Sequence, residues 1–309
     1  MILQSENSNN MRFIFFLLIL FSNSILSQAD LINAKKPSDI ENKALNDVKS
    51  LEYTDIEEND ILWSKVVYEY IDLNEKLNFP LLFPINDEQN KIGRKSLWRV
   101  LKEYIVNILD DDDFIYGPAL SPLEIYNSDD FSSTDKLNDD EIRDLISYVL
   151  PSKKTGDQTL YVKSNEIGGY NIKGIWYFDK KSSQLKYRLL GIQPVGANTE
   201  NLKDGVANPK LETTYFWIWY PSIREELNRY LVFNDRNNNN RISFDDLLVN
   251  RRFSSYIYKY DNIYGDRTIR DYIRKRPNES PRQHKLRLLM ESERIKKEIL
   301  DFEVDMWGY

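Results

Sequence analysis

The chain has 309 residues, with 42 basic against 49 acidic side chains, a net charge of −7, 41% hydrophobic and 13% aromatic residues. That balance describes a folded protein and argues against nucleic acid as a partner, because phosphate binding needs a cationic surface. The absence of cysteine and the single histidine, His284, exclude disulfides, thiol catalysis, Cys-based zinc sites and clustered His metal sites, and leave His284 as a solvated residue in a charged stretch.

Residues 1–29 carry a secretory signal peptide pattern. Within them "MRFIFFLLILFSNSILSQA" has a basic start at Arg12, an apolar run from Phe13 to Phe21, and small or polar residues up to Ala29. The run is about half of the roughly 20 residues that a bilayer span requires, so no direct membrane span is expected. Met11 offers an alternative start. Residues 30–55, rich in Lys, Asn, Asp and Ser, read as a flexible mature N-terminus, and residues 56–309 as the folded domain.

From Ile61 to Leu77, the spacing of Leu62, Val66, Tyr70, Leu73 and Leu77 predicts a helix. "FPLLFP", Phe79 to Pro84, reads as extended, and Leu97, Val100, Leu101, Tyr104, Ile105 and Ile108 mark a second helix. The run "DDDD" at 110–113 reads as a solvated turn. Ile142, Leu145, Ile146 and Val149 predict a short helix stopped by Pro151. The segments "TLYVKS", "IKGIWYFDKK", "QLKYRLLGIQPV" and "TTYFWIWYP" are aromatic and β-branched and are separated by turn formers. They predict a small antiparallel sheet over residues 158–220, in which Trp176, Trp217 and Trp219 are core or interface anchors. Helices are expected again over Ser222–Tyr230, Phe244 to Phe253 and Lys285 to Phe302. The fold class is therefore α+β, a small antiparallel sheet in the middle flanked by helices.

Phosphate-loop, dinucleotide, nucleophile-elbow and zinc-protease motifs are missing, so no enzyme class has motif support. A carboxylate-based glycan hydrolase would need facing carboxylates, which spacing alone cannot nominate. "DRNNNNRISFDD", residues 235–246, places Asp235, Asn237, Asn239, Ser243 and Asp246 at the side-chain ligand positions of an EF-hand loop. It is weakened by Asp at the last position and by Asn240 in place of the turn Gly. Residues 75–97 laid against 225–247 are identical at 8 of 23 positions, including Leu77/Leu227, Phe83/Phe233 and Ile92/Ile242. This suggests a duplicated helix-loop-helix unit whose first copy lacks the ligands. The alternative to a calcium loop is a turn opening a helix capped by Ser243, with Asp246 closing a capping box.

The segments "ILWSKVVYEYIDLNEKLNFPLLFP", "RKSLWRVL", "FWIWYPSIREELN", "ISFDDLLVNRRFSSYIYKYDNIYGDRTIRDYI" and "ESERIKKEILDFEVDMWGY" resemble the gliding-motility GldN (PorN) family of Bacteroidetes-type bacteria. The resemblance covers most of the chain after residue 56 and is most specific from Ile242 to Ile273. It implies a non-enzymatic periplasmic component of the type IX secretion system. Such a component would be a ring subunit bridging a GldK/PorK-type outer-membrane lipoprotein and a GldM/PorM-type inner-membrane motor protein. The family supplies no catalytic, cofactor or metal residue to carry over. Trp217 and Trp219 on the sheet and the segment Arg251, Arg252, Phe253 are the interface candidates. A secreted calcium-binding protein using residues 235–246 is the alternative.

Overall fold

A computed structural model describes residues 58–86, 94–110, 123–150, 157–232, 242–263 and 267–307. Its strands are β1 (Ile61–Asp72), β2 (Ile125–Tyr126), β3 (Ser147–Leu150), β4 (Gln158–Tyr161), β5 (Ile167–Asp179), β6 (Gln184–Gly196), β7 (Thr213–Thr214), β8 (Trp217–Trp219), β9 (Leu231–Val232), β10 (Ile242–Ser243) and β11 (Tyr256–Tyr260). Its α-helices are α1 (Phe79–Leu82), α2 (Leu97–Asp110), α3 (Asp139–Ile146), α4 (Thr199–Lys203), α5 (Tyr220–Arg229), α6 (Phe244–Val249), α7 (Ile269–Tyr272) and α8 (Pro281–Trp307).

The main sheet is antiparallel, in the order β11-β1-β5-β6-β8-β2 with β7 added to β6. Successive side chains of a strand leave opposite faces. Along β1, Val67, Glu69 and Ile71 therefore point one way and Val66, Tyr68 and Tyr70 the other. On the first face Ile71, Ile172, Ile192 and Ile218 join one core with Leu97, Leu101 and Ile105 of α2, Ile223 and Leu227 of α5, and Phe244 and Leu248 of α6. Truncating a core side chain such as Leu101 to Ala costs about 2–5 kcal/mol. Towards β11, α8 covers the same face through Ile295 and Ile299, which pack with Val67, Ile257 and Tyr260. Fastening is polar as well: the Ile257 amide donates to Ser292 Oγ at 2.8 Å, and Lys65 pairs with Glu298 at 2.6 Å.

The α+β class and the central antiparallel strands follow the sequence expectation, but four local readings need correction. The segment from Ile61 is a strand, not a helix: two of its five supposed helix-face residues, Leu62 and Leu77, are 51% and 66% exposed. Ile61, Trp63, Val66, Val67, Tyr68, Tyr70 and Ile71 suit a pleated surface, and β1 pairs with β5 along its whole length. "FPLL" forms α1 with proline in the first turn, where its missing N–H is harmless. The helix from Asp139 stops at Ile146, and Val149, 44% exposed, belongs to β3, which pairs with β4 outside the main sheet. The helix from Phe244 ends at Val249 because Arg251 takes the left-handed conformation, φ 52°. His284 is also more covered than expected, with Nδ1 3.6 Å from Glu279. The signal peptide, the residues 30–55, Asp111–Asp113 and most of residues 235–246 lie outside the described residues.

Candidate functional site

The second face of the sheet carries an aromatic cluster. Tyr68, Tyr126 and Trp217 are buried in it, with Val66, Phe131, Trp219 and Tyr258 half-buried around them. Trp217 packs edge-on to Tyr68 and to Phe131, with ring centroids 6.4 and 6.3 Å apart, and Trp219 meets Phe131 at 4.8 Å. Phe131 arrives from the connection after β2 with φ 54°, a conformation that bulky residues rarely adopt. Room for its ring exists because β6 has a glycine beneath it. A Cβ on Gly191 would lie 2.4 Å from Phe131 Cζ and 3.2 Å from Trp217 Cε3.

Charge sits beside this cluster. Asp129, two residues before Phe131, accepts a hydrogen bond from the Tyr68 hydroxyl and lies 3.8 Å from Lys173 and 3.6 Å from Lys259. Burial pushes the Asp129 carboxyl up, but the Tyr68 hydroxyl and the two ammonium groups outweigh it and hold the carboxyl below its ordinary range. Tyr68 is raised, first by burial and then by its bond to Asp129. Lys259 stands over the Tyr68 ring at 4.4 Å, and Lys173 over the Phe131 ring at 5.4 Å. The arrangement is an aromatic cluster flanked on one side by two lysines that share the Asp129 carboxylate. Among the described residues no group of three or more His, Asp and Glu converges as a metal would require.

The five interface candidates divide between two places. Trp217 and Trp219 meet in the aromatic cluster, Trp217 largely buried and Trp219 partly open. Arg251 points into the first face instead. Its Nη2 donates to the fully buried Glu69 carboxylate at 2.7 Å, which also accepts from Ser255 Oγ. The guanidinium lies 4.2 Å from the Tyr187 ring, 5.2 Å from Trp176 and 5.4 Å from Phe253. Burial pulls its pKa down, and Glu69 more than restores it. Phe253 is half-buried against the main core, and only Arg252 of the three is exposed. Asn78 fixes this segment from the other side: its side chain donates to Ser254 O at 2.9 Å and accepts from Ser254 N at 2.8 Å.

The capping alternative for the loop before α6 is realised. Ser243 Oγ accepts from the Asp246 amide at 3.0 Å, and Asp246 Oδ2 accepts from the Ser243 amide at 3.4 Å. Next to it the buried Asp245 takes a two-pronged bond from Arg224, both contacts 3.0 Å, and a third from the Tyr220 hydroxyl at 2.8 Å, locking α5 to α6. Residues 235–241, which hold the other supposed calcium ligands, are outside the described residues.

Phe131, Asp129, Lys173 and Lys259 escaped sequence reading. The one available signal was Gly191, a glycine inside a strand pattern, which marks a close approach without naming what approaches. No helix among the described residues is long and apolar enough to cross a membrane. A sequence model of the family described as gliding motility associated protein GldN matches residues 56–308. No curated protein matches the chain.

Proposed function

The chain belongs to the GldN family of gliding motility associated proteins, components of the type IX secretion machinery, and from that premise we propose that it is a non-enzymatic structural subunit working in the periplasm. In this reading it sits in a ring beneath the outer membrane, associated through a GldK/PorK-type lipoprotein, and reaches a GldM/PorM-type motor protein. The observation that carries the reading, beside the family match, is the aromatic and lysine face around Trp219, Phe131 and Lys259. It offers stacking area and positive charge to a partner.

Co-purification tests it. Mature protein mixed with the lipoprotein, and separately with the periplasmic part of the motor protein, should co-elute with at least one of them. Trp219→Ala and Lys259→Ala should weaken that association with both variants still folded, although loss of the Lys259 ammonium beside Asp129 lowers the melting transition. Absence of association with both partners would overturn the reading. Unaltered binding by both variants would move the contact away from this face.

A further inference from the structure

Helix α8 has two faces with different fates. Ser292, Ile295 and Ile299 are buried against β1 and β11, and Trp63 stacks on Phe302 at 4.7 Å. The opposite side is open. Leu286, Met290, Glu293, Lys297, Leu300 and Val304 are all exposed. Their spacing is four, three, four, three, four, the seam of a heptad repeat, and at 100° per residue they fall in a stripe about 80° wide. Four apolar residues on an exposed seam are unusual on a helix whose remaining surface is charged.

The order of residues along the stripe selects the occupant. We propose that α8 pairs antiparallel with α8 of a second copy of this chain. With the two helices related by a twofold axis between Glu293 and Lys297, Leu286 meets Val304 of the other copy, Met290 meets Leu300, and Glu293 meets Lys297, each contact occurring twice. A parallel pair would set Glu293 against Glu293 and Lys297 against Lys297 in the middle of the seam, so charge decides the direction. Lys297 has no ion-pair partner among the described residues, and Glu293 holds only the neighbouring Lys296 at 3.0 Å. Beside the seam Arg287, already held by Glu279 at 2.9 Å, comes opposite Asp301, and Lys296, which donates to Ser255 O at 2.6 Å, faces its own copy. Arg294 meets its own copy, but it is already clamped between Glu291 at 2.8 Å and Glu298 at 3.0 Å. The contact runs about 27 Å from Leu286 to Val304. Being isologous, it closes at two chains and is distinct from the head-to-tail contact a ring requires, so its fate is independent of the function proposed above.

Because the chain has no cysteine, engineered thiols report the pairing without background. Mature Met290→Cys mixed with Leu300→Cys should give a disulfide-linked pair under mild oxidation. Met290→Cys alone should not, since its two copies stand about 15 Å apart along the antiparallel pair, beyond disulfide reach. In sedimentation, Glu293→Lys should weaken the dimer about tenfold by turning two attractions into repulsions, and Glu293→Lys with Lys297→Glu should restore it. Cross-linking of Met290→Cys alone would mean a parallel pair and overturn the proposal. So would a wild-type protein that stays monomeric at roughly 100 μM, above the range of even a small specific interface.

Discussion

Tyr68 and Glu69 are consecutive residues of β1 whose side chains leave opposite faces of the sheet and anchor two separate clusters. The Tyr68 hydroxyl holds Asp129 beside the aromatic face, whereas the Glu69 carboxylate holds Arg251 within the first face. A slip of one residue in the pairing of β1 would exchange them, placing a carboxylate among the tryptophans and a phenol against a guanidinium. The register of β1 is thus pinned from both sides.

Arg251→Met should destabilise the fold by about 3–5 kcal/mol, because it leaves the buried Glu69 carboxylate without its partner. Combining it with Glu69→Gln removes the stranded charge while keeping an acceptor for Ser255, and should recover much of the loss. Urea denaturation of both variants measures the difference. Equal losses would mean that the packing of Arg251 on Tyr187 and Trp176 matters more than the ion pair.

Gly191→Ala places a methyl group against the Phe131 ring and should cost about 1–3 kcal/mol through overpacking. Expulsion of the ring uncovers Trp217 and Trp219, so tryptophan emission should shift to the red. Phe131→Leu added to Gly191→Ala should restore part of the stability. An unchanged spectrum in Gly191→Ala would show that the ring has another place to go.

The Asp129 carboxyl is held below its ordinary value by Tyr68, Lys259 and Lys173 against the opposing effect of burial. Its contribution to stability is therefore complete above the unfolded value of about 3.9 and is lost as pH falls through the lower folded value. Asp129→Asn should melt below wild type at pH 7 yet lose less Tm than wild type between pH 7 and pH 3. Parallel slopes for the two proteins would remove Asp129 from the acid response.

Ser243→Ala deletes the side-chain acceptor that caps α6 and should cost about 0.5–2 kcal/mol, read from the denaturation midpoint. Asp245→Asn, which breaks the buried bidentate bond from Arg224, should cost more than the cap. The reverse order would show that α5 and α6 are held by their apolar contacts alone.

The sequence was most legible where one physical rule acts alone. The capping box at Ser243 and Asp246 uses residues three apart, and α2 shows its buried stripe at helical spacing from Leu97 to Leu109. Reading failed at β1, where Leu62, Val66, Tyr70, Leu73 and Leu77 fell at helical intervals by coincidence and the deciding fact was a partner strand more than 90 residues away in sequence. It failed differently at Arg251. "RRF" looks like one exposed patch, and only the left-handed turn after α6 sends the first Arg inwards. The Asp129 and Phe131 cluster depends on a connection folding back over distant strands, for which no local pattern exists.

The position of β1 between β5 and β11 has a consequence for biogenesis. Among the described residues its outer edge is closed by Tyr256–Tyr260, along Val67–Tyr70, so synthesis must pass residue 260 before the sheet can finish. Until then β1 offers an open ladder of backbone donors and acceptors to any other extended chain. Such long-range pairing slows folding, which would suit the export across a membrane that the proposed periplasmic role requires. The same delay makes products truncated before residue 256 the forms most prone to aggregate.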